Sequence, residues 1–368
     1  MANKKILFIS GSIGLGHVTR DLAIAGELRK RLPGLEIVWM AADPAADMLR
    51  NNGEELHPAS STYVNGNAAA ETAAKGTSLN LIKYSMKTAK EWKESFEIFK
   101  KVIENGAYDT VVGDETYEIL AGFQRQPATK LLPFAIIFDF IGIDSMTLNP
   151  LERVGAYMWN RIWSDSYRRG RASPFDLGIF VGERDDILNK PFGFLLPNRR
   201  EWAKATLDFA GYVLPFDPAA YADTQAMRKE LGYGGEPLVV CALGGTSIGR
   251  ELLELCAKAS VMARTRLPDL RMILVCGPRL PTKSIDAPEG VEVRGYVPEL
   301  YKHFAASDLA VVQGGNTSTL ELTALRKPFL YFPLEGHFEQ AHIADVLERR
   351  GAGVRMSYSA TTPHMLAD

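Results

Sequence analysis

Cysteine is scarce in this sequence, and no metal-binding or disulfide pattern accompanies it. The 368 residues include three cysteines, Cys241, Cys256 and Cys276, and none of them stands in a C-x-x-C spacing. An odd number of cysteines within or beside apolar segments is typical of reduced, buried thiols in an intracellular protein. We therefore expect free thiols and a cytoplasmic location.

An excess of one charge and long apolar runs are also missing. Lys and Arg total 42 while Asp and Glu total 44, which gives a formal net charge of −2. This balance lacks the basic footprint of a nucleic-acid-binding protein. The longest stretch without a charged residue, 56–70, has 15 residues and is rich in Ser, Asn and Gly, whereas a transmembrane helix needs about 20 apolar residues. The sequence predicts neither a nucleic-acid partner nor a transmembrane segment.

Short β-branched or aromatic runs alternate with longer segments of helical period. Strands that alternate with helices favour parallel sheets covered by helices on both faces. We predict an α/β protein with two doubly wound, Rossmann-like domains that face each other across a cleft, and ligands at the carboxyl ends of the strands. The predicted strands are 5–10, 36–40, 110–113, 134–138, 178–181, 238–243, 272–276, 291–293, 309–313 and 329–332. The predicted helices are 17–31, 45–51, 79–103, 117–123, 250–264, 300–306, 318–325 and 340–350.

A proline-rich segment around Leu214–Pro218 separates the two halves. Prolines and polar residues are typical of domain boundaries. We predict an N-terminal acceptor-binding domain over 1–213, a linker and first helix over 214–236, and a C-terminal donor-binding domain over 237–368. Residues 60–77 are predicted to form a mobile loop. Residues 151–171 predict an amphipathic helix with a solvated basic face, or alternatively a surface for an anionic or lipid-bearing acceptor.

A glycine-rich loop, Gly11 to Gly16, connects the first predicted strand to the first predicted helix. Small residues allow the backbone to approach a ligand at a helix N-terminus, where free N–H groups favour an anion. The spacing G-x-x-G-x-G-H differs from the dinucleotide pattern G-x-G-x-x-G, and no acidic residue ends the next strand. This argues against a dinucleotide-dependent oxidoreductase.

His17 and Asp114 are the candidate catalytic pair. The helix dipole is expected to lower the pKa of His17, which keeps the imidazole neutral and able to accept a proton. A general-base histidine needs a carboxylate on its other nitrogen. Asp114 follows a predicted strand whose carboxyl end is expected near the first glycine loop. The alternative is that both residues only cap helices.

The second half repeats the order of strand, glycine pair and helix twice, at Gly244 and at Gln313. Two anion-accepting loops in one domain suit a diphosphate, although each alone could be an ordinary turn. Glu321 could accept two hydrogen bonds from a ribose diol, and Glu339 with Gln340 could bind sugar hydroxyls or be ordinary first-turn residues. The candidate donor-binding residues here are Gly245, Thr246, Ser247, Arg250, Gln313, Gly314, Gly315, Asn316, Thr317, Ser318, Glu321, Glu339 and Gln340.

Together these motifs resemble the nucleotide-sugar glycosyltransferases of the GT-B fold. That family includes natural-product UDP-glycosyltransferases and the N-acetylglucosaminyltransferase that makes the peptidoglycan lipid intermediate. The resemblance is strongest over 238–353, clear over 6–20 and faint over 60–209. It implies that His17 is the catalytic histidine, Asp114 its carboxylate partner and Gly16 part of the donor site. It also implies that Tyr296 and Val297, in the segment that ends with Glu299, contact the nucleotide base.

The sequence departs from the family pattern at three points. Gln313 stands where a histidine is expected to touch a phosphate, and the amide of Asn316 is shifted by one place. The chain also ends at Asp368, where the family usually has a further helical segment.

The resemblance implies an inverting transfer of a hexose or N-acetylhexosamine from a UDP-sugar-type donor to an acceptor hydroxyl. No metal and no cofactor are expected, since the sequence has no D-x-D motif and no His/Cys ligand cluster. The expected partners are the nucleotide-sugar donor and a small-molecule or lipid-linked acceptor, with peripheral membrane contact left open. The alternatives are a nucleotide-sugar 2-epimerase and a non-catalytic nucleotide-sugar-binding subunit.

Overall fold

Two units make up the chain in the computed structural model. The model describes residues 4–11, 15–63, 74–75, 78–79, 81–168, 173–244 and 248–368. One unit comprises Met1–Ala70 and Leu81–Pro215, and the other comprises Glu71–Asn80 and Phe216–Asp368. The change from one to the other at Pro215 falls in the predicted linker. Most of the predicted mobile loop 60–77 lies outside the described residues.

The first unit is built on a seven-stranded parallel sheet. Its strands in chain order are β1 (Lys5–Ile9), β2 (Glu36–Met40), β3 (Glu55–Leu56), β6 (Thr110–Asp114), β7 (Phe134–Phe138), β8 (Leu177–Val181) and β9 (Asp208–Gly211). Their order across the sheet is β3-β2-β1-β6-β7-β8-β9. A separate antiparallel pair, formed by β4 (Ala74–Lys75) and β5 (Ser78–Leu79), belongs to the segment Glu71–Asn80 of the second unit.

Helices connect the parallel strands of this sheet. They are α1 (Gly16–Arg31), α2 (Ala45–Asn51), α3 (Leu81–Asn105), α4 (Tyr117–Arg125), α5 (Pro150–Arg168) and α6 (Arg199–Thr206), with short 3₁₀ helices at Pro58–Thr62, Pro127–Thr129 and Arg184–Asp186. Among the described helices of the whole chain, none is both long and apolar enough to cross a membrane.

The second unit repeats this plan with six parallel strands. They are β10 (Leu238–Ala242), β11 (Arg271–Val275), β12 (Val291–Arg294), β13 (Leu309–Gln313), β14 (Phe329–Phe332) and β15 (Val354–Arg355), in the order β12-β11-β10-β13-β14-β15. The helices are α7 (Thr224–Leu231), α8 (Arg250–Ala263), α9 (Leu300–Ala306), α10 (Asn316–Ala324), α11 (Phe338–Arg350) and α12 (Pro363–Ala367), and Pro218–Tyr221 and Thr282–Ser284 are 3₁₀.

The central strands have continuous apolar sequences because both faces of each sheet are buried there. In β1, Leu7, Phe8 and Ile9 are all fully buried, and the Phe8 ring stacks on Trp39 of β2 at 4.5 Å between centroids. The predicted α/β class with doubly wound parallel sheets is confirmed. The three cysteines are buried and free, as expected.

Both sheets reverse their strand order at an internal strand. In the first unit β1 pairs with β2 on one side and with β6 on the other. In the second unit β10 pairs with β11 and with β13 in the same way. Loops leave the two central strands in opposite directions at such a point, and this opens a crevice at their carboxyl ends. The loops after β1 and β6, and those after β10 and β13, therefore mark one candidate site in each unit.

Candidate functional site

The pair His17 and Asp114 stands at the reversal point of the first sheet. Ile9 of β1 is in register with Gly113 of β6, so α1 begins next to the end of β6. The Nδ1 atom of His17 lies 3.2 Å from Oδ2 of Asp114. The Asp114 side chain is 0% exposed and that of His17 is 13% exposed. Residues Leu15 and Thr116, not the pair itself, occupy the N-cap positions of α1 and α4.

Gly11 makes this approach possible. A Cβ atom at that position would lie 3.1 Å from Cγ of His17 and 3.2 Å from the carbonyl oxygen of Asp114. These contacts are tighter than ordinary van der Waals distances, so a larger residue would push the imidazole away from the carboxylate. The glycine expected to admit a ligand also admits the histidine ring.

Arg20 binds the same carboxylate from the next turn of α1. Its Nη2 atom lies 2.6 Å from each oxygen of Asp114, and its Nε atom lies 3.2 Å from Oδ2. Nη1 donates to Oδ2 of Asp139 at 3.1 Å, and Nη2 lies 2.9 Å from Nδ1 of His17. The guanidinium is buried. One cation thus links two carboxylates and contacts the histidine.

Glu115 and Asp139 complete the cluster. Oε2 of Glu115 lies 3.6 Å from Nε2 of His17, on the side of the ring away from Asp114. Tyr117 donates from its hydroxyl to Oε1 of Glu115 at 3.1 Å. The backbone of Glu115 has φ 51°, a left-handed conformation that non-glycine residues seldom adopt and that recurs at functional sites.

The pKa shifts in this cluster follow from its charges. Burial acts to lower the pKa of His17, but the negative charge and the hydrogen bond of Asp114 raise it above the ordinary value. The expected lowering of this pKa is therefore wrong, because the carboxylate outweighs the effects that oppose protonation. Burial acts to raise the pKa of Asp114, but the positive charges of Arg20 and then His17 hold it well below the usual range. Asp114 thus stays ionised beside a histidine that can take a proton.

Sequence reasoning missed Arg20, Glu115 and Asp139. Arg20 is three residues after His17 on a helix, so the two side chains share a face. Asp139 directly follows β7, the strand that pairs with β6. The carboxyl ends of neighbouring parallel strands lie at the same edge of a sheet. An acidic residue directly after the apolar run Phe134–Phe138 could therefore have predicted a carboxylate close to Asp114.

One ligand atom each of His17, Glu115 and Asp139 lies within 4.8 Å of the others, a spacing that suits a cation. However, the guanidinium of Arg20 already donates to Asp139 and lies beside His17. A divalent ion there would face a fixed positive charge that cannot be removed by deprotonation. We assign no metal to these residues.

The second unit places its glycine loops at the reversal point between β10 and β13. Gln313, the last residue of β13, donates from Nε2 to the carbonyl oxygen of Ile248 at 2.6 Å. Gln313, which stands where a histidine is expected to touch a phosphate, therefore binds the loop that precedes α8. Gly249 has φ 92°, and a Cβ atom there would lie 1.9 Å from the same Nε2 atom. Gly245, Thr246 and Ser247 lie outside the described residues.

The other candidates of these loops surround the starts of α8 and α10. Arg250 opens α8, and its Nε atom donates to Glu254 at 2.7 Å. Gly314 and Gly315 follow β13, and Asn316, Thr317 and Ser318 are the half-buried first turn of α10. Glu321 is buried one turn later, and burial raises its pKa to about 8.

The start of α11 carries the last acidic–amide pair. Gln340 is buried, and its Oε1 atom accepts from the backbone N–H of Leu334 at 2.8 Å, which orients the amide. Glu339 precedes it and is half-buried.

Tyr296 and Val297 follow β12; Tyr296 is exposed and Val297 packs partly against the core. Glu299 accepts from the hydroxyl of Tyr301 at 2.7 Å.

Known proteins share both the second unit and the fold of the whole chain. Residues 239–368 match the glycosyltransferase family 28 C-terminal domain. The solved structure of the glycotransferase of kitacinnamycin superposes with a TM-score of 0.63 at 18% identity, over 99% of this chain and 89% of that one. This chain has the GT-B fold, and residues 239–368 carry a family 28 C-terminal domain.

Two relatives show over how much of this chain the sequence similarity extends. An uncharacterized glycosyltransferase of Methanosarcina acetivorans is 30% identical over 158 residues, which is 43% of this chain and 39% of that protein. A UDP-N-acetylglucosamine–N-acetylmuramyl-(pentapeptide) pyrophosphoryl-undecaprenol N-acetylglucosamine transferase of Acidiphilium cryptum is 32% identical over 141 residues, 36% of this chain and 37% of that protein. Each match spans less than half of the relative.

The Gly249 geometry of the family 28 domain gives a stability prediction. We expect Gly249→Ala to lower the free energy of unfolding by about 1–3 kcal/mol, because Ala is strained at φ 92° and its Cβ would collide with Gln313. Urea denaturation followed by circular dichroism measures this change. Gly235→Ala is the matched control, since nothing lies within 4 Å of its added Cβ. Equal effects of the two substitutions would contradict the assignment.

Proposed function

We propose that this chain is an inverting, metal-independent glycosyltransferase that moves a hexose or N-acetylhexosamine from a UDP-sugar to an acceptor hydroxyl. The observation that carries the proposal is the His17–Asp114 pair, at 3.2 Å, in a chain whose second unit is a family 28 domain. UDP-N-acetylglucosamine in the name of the Acidiphilium cryptum relative supports the choice of donor.

His17 is the general base of the proposed reaction. With Nδ1–H donating to Asp114, the Nε2 atom takes the proton of the acceptor hydroxyl. The acceptor oxygen bonds to the anomeric carbon while the bond from that carbon to the diphosphate oxygen breaks, so the configuration inverts. Glu115, 3.6 Å from Nε2, is close enough to contact an acceptor hydroxyl bound at that atom.

The donor is held by the second unit in this proposal. Backbone N–H groups and hydroxyls of the loops at Gly245–Ser247 and Gly314–Ser318 stabilise the diphosphate as negative charge develops on it, with Arg250 nearby. Glu321 accepts from the ribose hydroxyls, Glu339 and Gln340 bind the sugar, and Tyr296 and Val297 contact the base. The pKa of Glu321, near 8 from burial, falls when ribose hydroxyls donate to the carboxylate.

Removing the proposed base gives the direct test. We expect His17→Ala to lower kcat by roughly 10²–10⁴-fold with little change in UDP affinity. UDP release from UDP-N-acetylglucosamine or UDP-glucose, measured over a panel of sugar, phenol and lipid-linked acceptors, gives kcat, and calorimetry gives UDP affinity.

The matched control is His364→Ala, which removes an exposed histidine of the second unit and should retain the wild-type rate. A His17 variant with a near-wild-type rate would exclude the base role. Product made from the donor alone, with a C2 epimer detected by NMR, would indicate a 2-epimerase instead. UDP binding without transfer or donor hydrolysis would indicate a non-catalytic binding protein.

Metal independence has its own test. Because leaving-group charge is assigned to N–H groups and hydroxyls, turnover should persist within about twofold after dialysis against EDTA. Loss of activity on chelation that Mg²⁺ or Mn²⁺ restores would contradict metal independence. A metal ion would then stabilise the leaving group or act together with His17.

An exposed apolar surface on the first unit supports a lipid-linked acceptor. Leu151, Val154 and Met158 share one face of α5, and Leu148, just before the helix, is 89% exposed. Phe194, at 81% exposed, belongs to a neighbouring loop whose carbonyl oxygen accepts from Tyr157 of α5 at 3.3 Å. The exposed Arg153 and Arg161 lie on the same helix. Apolar side chains beside arginines are typical of surfaces that bind anionic bilayers, which we propose as the occupant.

Vesicle binding tests this surface. We expect the protein to co-sediment with phosphatidylglycerol vesicles. The substitution Leu151→Gln should weaken this binding at least about fivefold, because it removes an apolar side chain that inserts among the lipids. The control is Leu267→Gln, an exposed leucine of the second unit. Absence of wild-type binding would exclude a bilayer, and a dimer that Leu151→Gln dissociates would identify a second copy of the chain as the occupant.

A further inference from the structure

We propose that Arg20 is a positioning residue for His17: it holds the Asp114 carboxylate in place and limits how strongly that carboxylate attracts a proton to the imidazole. This inference rests on the proposed function, in which His17 must be neutral before it can accept a proton. Nothing in the general pairing of a histidine with an aspartate requires the arginine.

Three contacts from Arg20 fix the position of the Asp114 carboxylate. Nη2 lies 2.6 Å from both oxygens of Asp114 and Nε lies 3.2 Å from Oδ2. Nη1 reaches Asp139 at 3.1 Å, so the guanidinium is itself anchored at its far end. A planar guanidinium held at both ends defines the position of a carboxylate, which a flexible ammonium group does not. Oδ2 of Asp114 is thereby kept at hydrogen-bond distance from Nδ1 of His17.

The same contacts place a positive charge against the imidazole. Nη2 lies 2.9 Å from Nδ1 of His17, closer than Asp114 does at 3.2 Å. The charge of Arg20 lowers the pKa of His17, opposing the rise that Asp114 causes. Arg20 therefore preserves a neutral fraction of His17 that Asp114 alone would reduce. The titratable and charged groups of the surrounding elements are Arg20 and Asp21 of α1, Asp114 and Glu115 at the end of β6, Tyr117 of α4 and Asp139 after β7.

A double-variant experiment separates positioning from a structural role. We expect Arg20→Ala to lower kcat about 10- to 100-fold with a much smaller change in KM for the donor. In a His17→Ala background the same substitution should change kcat less than about threefold, because the residue it acts through is gone. Equal losses in both backgrounds would overturn the proposal, as would a folded Arg20→Ala protein with wild-type kcat.

A conservative variant covers the case in which Arg20→Ala does not fold. Arg20→Lys keeps one charge but cannot hold Asp114 and Asp139 together, so kcat should still fall about tenfold. The matched control is Arg199→Lys, because Arg199 is another buried arginine of the first unit and pairs with Asp144 rather than with Asp114. It should leave kcat within about twofold, and an equal fall in both lysine variants would indicate a general effect of losing a buried arginine.

Nitrogen-15 NMR of the His17 ring tests the inference without any substrate. The titration midpoint of His17 should rise by about one pH unit in Arg20→Ala, or in Arg20→Lys by less, since a cation beside the ring has been removed or displaced. Asp114→Asn should shift the midpoint downward. An unchanged midpoint in both Arg20 variants would overturn the proposal. A shifted midpoint in a protein without transferase activity would reject the proposed function and leave the assignment of Arg20 intact.

Discussion

The buried carboxylate of Asp114 is the interaction on which the site in the first unit depends. A charge removed from water is tolerated only when it is paired and hydrogen-bonded. Arg20 satisfies both of its oxygens, and His17 adds a third partner. The backbone prepares this arrangement, because the parallel register of β1 and β6 brings the start of α1 to the end of β6. Gly11 then leaves the space that the imidazole fills.

The two units place different side chains at the same topological position. Each sheet reverses its strand order at an internal strand, and each candidate site lies in the loops at that point. In the first unit those loops carry ionisable side chains. In the second they carry glycines and small polar residues, and Gln313 ties one loop to the other through Ile248. In the proposed reaction the first site transfers a proton, which needs fixed titratable groups, and the second binds a diphosphate, for which backbone N–H groups are well suited.

Much of this could be predicted from the sequence, for identifiable reasons. The apolar runs of β1, β6, β10 and β13 are unambiguous because both faces of these strands are buried, and glycines mark the loops that follow. The edge strands β3, β9 and β15 were not predicted, because they have two to four residues and little of their side-chain surface is buried. Arg20 and Asp139 were missed because their importance comes from a contact between residues 119 positions apart. The pKa direction of His17 was wrong because it depends on the distance to Asp114, which no spacing reveals.

The charges around His17 have a consequence for the energetics of proton transfer. Asp114 and Asp139 are held ionised and Arg20 is permanently positive, while burial and the nearby Asp114 charge raise the pKa of Asp21 well above its usual value. With a neutral imidazole, the three ionised residues Arg20, Asp114 and Asp139 leave one negative charge unbalanced. In the proposed reaction, a proton arriving on the ring cancels the net charge of these three residues, while Glu115, 3.6 Å from Nε2, adds a carboxyl group on the other side of the imidazolium. The imidazolium formed in the proposed deprotonation is thus stabilised by the carboxylate of Asp114, and the charge of Arg20 moderates that stabilisation.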